Sequence, residues 1–414
     1  MATSIILYSI PVFFVLIFIE IFLDIRQKTS RYRINDALTS LSLGIISRTK
    51  LIVIFSFASI MYEWASEHLA IVQLPANSWI TWVLSFVFYD FLYYWYHRLS
   101  HQINFLWASH VVHHQSEDYN LTTALRQTSS SVLVWLFFLP SFVLGIPTEV
   151  LLVCGALNLV YQFWVHTQFV GKLGWIERIF VTPSHHRVHH GQNSIYIDKN
   201  HGGVFILWDR IFGTFQEELD AEPVVYGIRR PVNSFNPIWA NIHTWVSLLK
   251  DSYRANSLLD KIKIWFAPTG WRPEDVNTKY PIEKQEAGSQ VKFDPVINGW
   301  IKYYTIIQYC FCLVFALVFI LSANKLDFTA KLVIWFVITM PLLTNGIFLN
   351  NRSYSRLGEG TRILFSIAVF FPLMQYVADS LIMLYMVYLI LTLTLFSISL
   401  LKHKEYLVSQ NETS

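Results

Sequence analysis

The stretch HRLSHQINFLWASHVVHH, residues 97–114, holds five of the fourteen histidines of a 414-residue chain. His97 and His101 are four apart, so on a helix they share a face one turn apart. His110, His113 and His114 follow as H-x-x-H-H. Offsets of three and four return to one face of a helix, whereas neighbours diverge by about 100°, so adjacent histidines can point at two different metals. The same box recurs as His186, His189 and His190, with His185 in front of it and His166 at the end of the preceding apolar hairpin. Eight imidazoles in three boxes are too many for one ion, which four ligands usually satisfy. Two metals are therefore expected. His68, His243 and His403 stand outside any pattern and read as hydrogen-bonded helix-end residues, and His201 reads as structural.

The surroundings of the boxes are oily. Hydrophobic residues make up 54% of the chain, aromatic 16% and charged 14%, a balance outside that of a soluble globular domain. The net charge of +3, with no basic run, excludes a nucleic-acid partner. Cys154, Cys310 and Cys312 all sit within apolar runs, which argues against a disulfide framework or a thiolate metal site. Nitrogen and oxygen ligands remain, and imidazole suits iron, zinc, copper and nickel alike.

A spanning helix needs about 20 apolar residues. Runs at 5–23, 41–62, 79–96, 132–164, 303–321, 332–349 and 363–401 meet or approach that. Gly145-Ile146-Pro147 breaks the fourth run as a tight turn, and the last is long enough for two spans, so eight or nine spans are expected. The first run lacks a small-residue cleavage site and reads as a retained helix. Arg26, Lys28, Arg31 and Arg33 follow it, whereas 63–78 has no Lys or Arg; this asymmetry puts the first loop and the histidine boxes on the cytoplasmic side, although Lys325 and Lys331 then fall outside. The fold class is all-α, a multi-pass transmembrane bundle with a cytoplasmic helical cap holding a histidine-rich dimetal site. Its expected parts are N-terminal transmembrane helices (1–77), the catalytic region with three histidine boxes (78–220), a cytoplasmic segment (221–302) and C-terminal transmembrane helices (303–414). The last helices carry no catalytic motif.

Other polar residues qualify for supporting roles. Asp90 lies seven before His97 inside a span, where a carboxylate is costly unless partnered, and it could orient His97 or a neighbour; the plainer reading is a buried hydrogen bond. Glu117, Asp118 and Asn120 follow the second box and read either as support for the site or as a helix cap and polar loop. Asp379 either faces a helix interface or marks a break between two spans. The Tyr and Trp residues at 93–96 and 161–164 fit an interfacial belt.

The boxes HRLSH, HVVHH and HRVHH resemble those of the fatty acid hydroxylase and sterol desaturase superfamily of membrane di-iron oxygenases. Their flanks, SHVVHHQSEDYNLTTALRQ, VTPSHHRVHHGQN and IDKNHGGVFILWDRIFGTFQEE, are similar to its alkylglycerol monooxygenase branch, and the likeness extends over nearly the whole chain. The resemblance implies an O2-dependent enzyme with two irons per chain and tetrahydrobiopterin as reductant. It would hydroxylate the carbon next to the ether oxygen of an alkylglycerol lipid, releasing a fatty aldehyde and glycerol. Ligand roles fall on His97, His101, His110, His113, His114, His186, His189 and His190, with His166 and His185 matching further histidines of the branch. One position departs: Gln102 stands where the family carries a glutamate, and glutamine brings no negative charge. That departure bears on the reductant and substrate more than on the metals. A hydroxylase or desaturase of fatty acids, sterols or carotenoids is the nearer alternative, and a metal transporter or sensor the remote one. The compartment would be the endoplasmic reticulum in a eukaryote and the plasma membrane in a bacterium.

Overall fold

The computed structural model describes the chain except Phe55, Val132, Glu283, Lys284, Arg352, Ser353, residues 376–378, and 413–414, together with the side chains of residues 54, 56–59, 379–380 and 402–412. The expected start of a span at Val132 and the side chains of Asp379 and His403 lie outside the described residues. Helices make up 68% of the chain. Among the described residues there is no strand, only isolated bridges between Ile103 and Pro268 and between Phe180 and Phe205. The helices are α1 (Ala2–Gln27), α2 (Ile34–Ile54), α3 (Ser56–His68), α4 (Trp79–Gln102), α5 (Asn104–His114), α6 (Leu121–Ala124), α7 (Val134–Val143), α8 (Thr148–Trp164) and α9 (Pro183–His189). They continue as α10 (Leu207–Ile211), α11 (Pro237–Arg254), α12 (Leu258–Phe266), α13 (Glu274–Lys279), α14 (Gly299–Ser322), α15 (Phe328–Leu349), α16 (Ser355–Leu373) and α17 (Asp379–Glu412).

The chain divides into two units. The first comprises Met1–Leu41, Phe55–Val232 and Asn241–Lys292, and the second Ser42–Ile54, Asn233–Ala240 and Phe293–Ser414. Four helical stretches are long and apolar enough to cross a membrane, Ala2–Gln27, Gly299–Lys325, Phe328–Leu349 and Leu381–Leu401, so this is a multi-pass membrane protein. Val134–Val143 and Thr148–Trp164 are apolar but short. Eight or nine full spans are thus not seen among the described residues. Gly145 does split the fourth run as expected, leaving helices of 10 and 17 residues. Its φ is +71°, and a Cβ there would lie 1.8 Å from the Val72 carbonyl oxygen. Only glycine fits that turn.

In the first unit, α1 turns Val12, Val15, Phe18 and Phe22 outward and buries Glu20. A carboxylate on such a helix must be partnered. Glu20 accepts from the Leu121 N–H (2.8 Å), the Thr167 hydroxyl (2.5 Å) and the Tyr32 hydroxyl, while Phe13 stacks on Phe163 at 3.9 Å. These contacts tie α1 to the segments flanking two of the histidine positions. At the other end of the site, α4 and α5 are separated by a single extended residue, Ile103. Asn104 holds that elbow: its side chain donates to the Ile264 carbonyl (2.9 Å) and accepts from the Gly270 N–H (2.9 Å).

The tyrosines near the end of α4 are packed rather than belted. Tyr94 is fully buried, stacks on Phe212 and bonds the Thr214 hydroxyl at 2.9 Å; Tyr93 donates to Gln162 at 2.8 Å. In the second unit, α14, α15, α16 and α17 pack in sequence, with α17 returning against α14.

Candidate metal centre

Three helices and one loop end deliver nine histidines to two groups. His97 and His101 come from α4, His110, His113 and His114 from α5, His186 and His189 from α9 with His190 at its end, and His166 from just beyond α8. His97, His101, His110, His114 and His189 form one group, and His113, His166, His186 and His190 the other; within each, the potential ligand atoms lie within 4.8 Å of one another. The doubled box sorts itself by helical phase. Residues four apart differ by about 40° and residues three apart by about 60° in the opposite sense, so His110 and His114 stay together while His113 diverges. His186 and His190 likewise share a group, and His189 crosses to the other.

The ring nitrogens show what the groups are built to hold. Nδ1 of His97 donates to the His201 carbonyl (2.8 Å), that of His113 to Arg126 (3.1 Å), that of His166 to Gln162 (2.7 Å) and that of His189 to Lys199 (2.9 Å). A neutral imidazole that donates from Nδ1 carries a lone pair on Nε2. Yet Nε2 of His113 lies 3.1 Å from Nε2 of His166, with His190 3.1 Å from His113 and His186 3.0 Å from His166. In the other group, His97 and His110 approach at 3.0 Å, and His110 and His114 at 3.2 Å. Among the described residues the buried Nε2 atoms of His101 and His189 have no hydrogen-bond partner. His113 and His166, both anchored at Nδ1, therefore face each other lone pair to lone pair, which is repulsive unless a cation lies between them. Protonation is an unfavourable substitute, because burial pushes His113 down to about 4 and holds His114, His186, His189 and His190 well below the ordinary histidine value. An all-imidazole donor set in its neutral form fits a transition-metal ion in each group.

Two carboxylates set the frame for these carbonyl anchors. Asp90 accepts from Asn158 (2.6 Å), the N–H groups of Val204 (2.8 Å) and Phe205 (3.0 Å) and the Trp208 indole (2.9 Å). It reaches no histidine side chain. Asp209 accepts from the N–H groups of His201 and Gly202 and from the Thr214 hydroxyl, each at 2.7 Å. Between them they clamp the loop whose Lys199 and His201 carbonyls orient His189 and His97. Gly203 lets this loop lie against α4, since a Cβ there would meet Asp90 Oδ1 at 2.7 Å. The carboxylate beside a ligand candidate is instead Asp198, 3.7 Å from His101 Nδ1.

The remaining expected residues fall elsewhere. His185 joins neither group; its ring packs edge-on against Phe215, and burial pushes it to about 4 despite the nearby Glu177 carboxylate. Glu117 pairs with Arg33 (3.3 Å), and Asp118 with Arg33 (2.8 Å) and Lys292 (2.7 Å). Asn120 caps α6, accepting from the Thr122 N–H at 3.1 Å and donating to the Arg31 carbonyl at 2.9 Å. Gln102 accepts at its carbonyl from the Thr269 N–H, and its half-buried amide has no hydrogen-bond partner among the described residues. His68 and His243 make local bonds, to the Trp64 carbonyl (2.9 Å) and the Thr244 hydroxyl (3.0 Å).

Several supports were not readable in advance. Arg187, inside the third box, grips Glu218 with two 2.7 Å bonds and donates to the Thr167 and Val170 carbonyls, fixing α9 beside His166. Tyr119 stacks between Tyr226 (4.7 Å) and His166 (5.7 Å) and donates to the Val165 carbonyl. His201 is completely buried, its ring centroid 5.0 Å from that of His101. Its signal in the sequence is the IDKNHGGVF stretch that follows the third box, where His201 stands eleven residues after His190.

A helical membrane protein with paired imidazole groups matches a known class. The sequence pattern of the fatty acid hydroxylase family fits residues 82–214, which include all nine histidines. Proteins named alkylglycerol monooxygenase are similar over most of the chain: the one from Homo sapiens is 39% identical over 80% of this chain and 74% of its own length. That from Xenopus tropicalis is 37% identical over 85% and 79%, and that from Caenorhabditis elegans 32% over 82% and 71%. No solved structure matches. The chain belongs to the alkylglycerol monooxygenase family within the fatty acid hydroxylases, and these likenesses support an oxidoreductase acting on ether lipids.

Proposed function

We propose that the protein is a membrane di-iron monooxygenase that uses dioxygen to hydroxylate the carbon next to the ether oxygen of an alkylglycerol, so that the product falls apart to a fatty aldehyde and glycerol. The observation that carries this reading is the sorting of nine buried imidazoles into groups of five and four, with the lone pairs of His113 and His166 facing each other, in a chain similar to proteins of that name. His97, His101, His110, His114 and His189 would hold one iron, and His113, His166, His186 and His190 the other. The irons supply the oxidising chemistry, and the chain's part is ligation, orientation and exclusion of water. Burial of the rings removes competing water, and the carbonyl anchors fix which nitrogen each ring presents. Asp90 and Asp209 act through the loop they clamp. Asn120 and Glu117 act at one further remove, holding the segment after the second box. Tetrahydrobiopterin, with the active site on the cytoplasmic face, is the reductant in this reading.

The test is aldehyde release from a radiolabelled alkylglycerol by the iron-loaded protein, with and without tetrahydrobiopterin. Pterin-dependent release that His113→Ala abolishes is expected. An iron-loaded protein that releases no aldehyde would contradict the assignment and direct attention to hydroxylation of another lipid.

A further inference from the structure

The five-histidine group has a sixth imidazole beside it. His201 is 0% exposed, its ring centroid lying 5.0 Å from His101, 5.5 Å from His189 and 5.6 Å from His97. Among the described residues neither of its ring nitrogens makes a hydrogen bond of good geometry; the one acceptor that acts on the ring is the Asp198 main-chain carbonyl, too poorly aligned to satisfy it. A buried donor and a buried acceptor left unmade are costly, and each such group calls for an explanation. The position is held firmly: the main-chain N–H of His201 is bound by Asp209, and its carbonyl receives His97 Nδ1. The ring is therefore aimed by a loop pinned at both ends of the same residue.

The orphan nitrogens around this place are of two kinds. Those of His101 and His189 belong to the mutually close ligand atoms of the group, and an ion there would use them. Those of His201 stand outside that set, so an ion on the five ligands leaves them unsatisfied. An ion held by these five imidazoles would have room for a further, exogenous ligand if it takes six. Resting on the reading of this group as a metal site, we infer that His201 hydrogen-bonds the small exogenous ligand that fills that open place. It is a positioning residue: the ring presents one N–H to the incoming ligand. The anchor of His97 is the main-chain carbonyl of His201, so the side chain can be changed while that anchor stays.

Azide is the probe, titrated into the purified, fully iron-loaded, oxidised protein and followed by its charge-transfer absorption, with iron per chain measured on the same samples. Variants are His201→Ala, His201→Phe, which keeps the bulk without nitrogen, and His201→Gln, which restores a donor. Azide affinity is expected to fall about 10- to 100-fold in the Ala and Phe variants, the range of a hydrogen bond to a charged group, and to recover in the Gln variant, with iron content unchanged throughout. Unchanged affinity in the Phe variant would overturn the inference. So would loss of one iron in all three variants, which would make His201 a direct ligand. A wild-type protein holding no iron would defeat the underlying metal reading, and the inference with it, and that outcome is read before any variant is compared.

Discussion

Two buried polar clusters in this chain solve opposite problems. In the second unit, Arg362 donates to the Tyr388 hydroxyl (2.6 Å), the Tyr304 hydroxyl (3.0 Å) and Glu359, and Tyr304 also donates to Glu359. Every charge in that four-residue cluster meets its complement inside the chain. In the first unit, seven of nine clustered imidazoles approach one another nitrogen to nitrogen at 3.0–3.2 Å, with His101 and His189 completing the groups. His113 and His166 both donate from Nδ1, so while they stay neutral their Nε2 lone pairs face each other, and no proton shared within that pair relieves the contact. The closed cluster stabilises helices in an apolar medium, whereas the open one is completed only by cations. The contrast gives a way to read buried polar groups generally: what lacks a partner in the chain indicates a ligand.

The largest effect that would sharpen this contrast lies in the open cluster. Replacing His186 or His113 by alanine should remove the ion of the four-histidine group and lower aldehyde release by more than about 100-fold, since even partners outside the ligand set cost 10–100-fold. Metal analysis alongside the activity assay checks it; full metal content in His186→Ala would break the assignment. Arg362→Met should instead leave metal content intact and destabilise the protein by about 3–5 kcal/mol, because Glu359 is left buried and unpaired. Thermal unfolding in detergent reads this, and the double replacement Glu359→Leu with Arg362→Met should recover most of the loss.

Next in size is the loop. Asp209→Asn should weaken metal binding about 10- to 100-fold through the His201 and Gly202 N–H groups it holds, with the helices intact by circular dichroism. Loss of helicity on the same scale would make its role purely structural.

These residues also show what the sequence conveys and what it does not. Helical phase alone separates His113 from His114 and His189 from His190, because that geometry is local. The anchors of the rings are main-chain carbonyls of residues 126, 162, 199 and 201, which no spacing rule picks out. Asp90 falls on the helical face of His97 by count, yet its oxygens are taken by a loop more than a hundred residues later. His185 adjoins a box but diverges by one helical step to Phe215. The number of spans is less legible than the boxes, because a hydrophobic run such as α4 buries Asp90, Tyr94 and His97 at one end and exposes Trp79, Ile80, Val83 and Leu84 at the other.

Smaller, and specific to the neutral state of the rings, is a pH effect. Burial lowers His113 from 6.5 to about 4, so the unfolded chain binds more protons than the folded one between those values, and stability rises with pH across that window. The metal-free protein should therefore lose stability as pH falls from 6.5 towards 4 and change little from this source above it; melting temperature against pH, compared with His113→Gln, checks the sign. The smallest change expected is Gln102→Glu, which should leave metal content unaltered and shift the reductant's KM, measured with tetrahydrobiopterin as the varied reactant.

The most direct test of the central claim counts iron. The purified wild-type protein should hold two irons per chain by elemental analysis, and His166→Ala, which removes a ligand from the four-histidine group only, should hold one. A wild-type protein with one iron or none, or a His166→Ala variant that keeps both, would contradict the account of two separate sites.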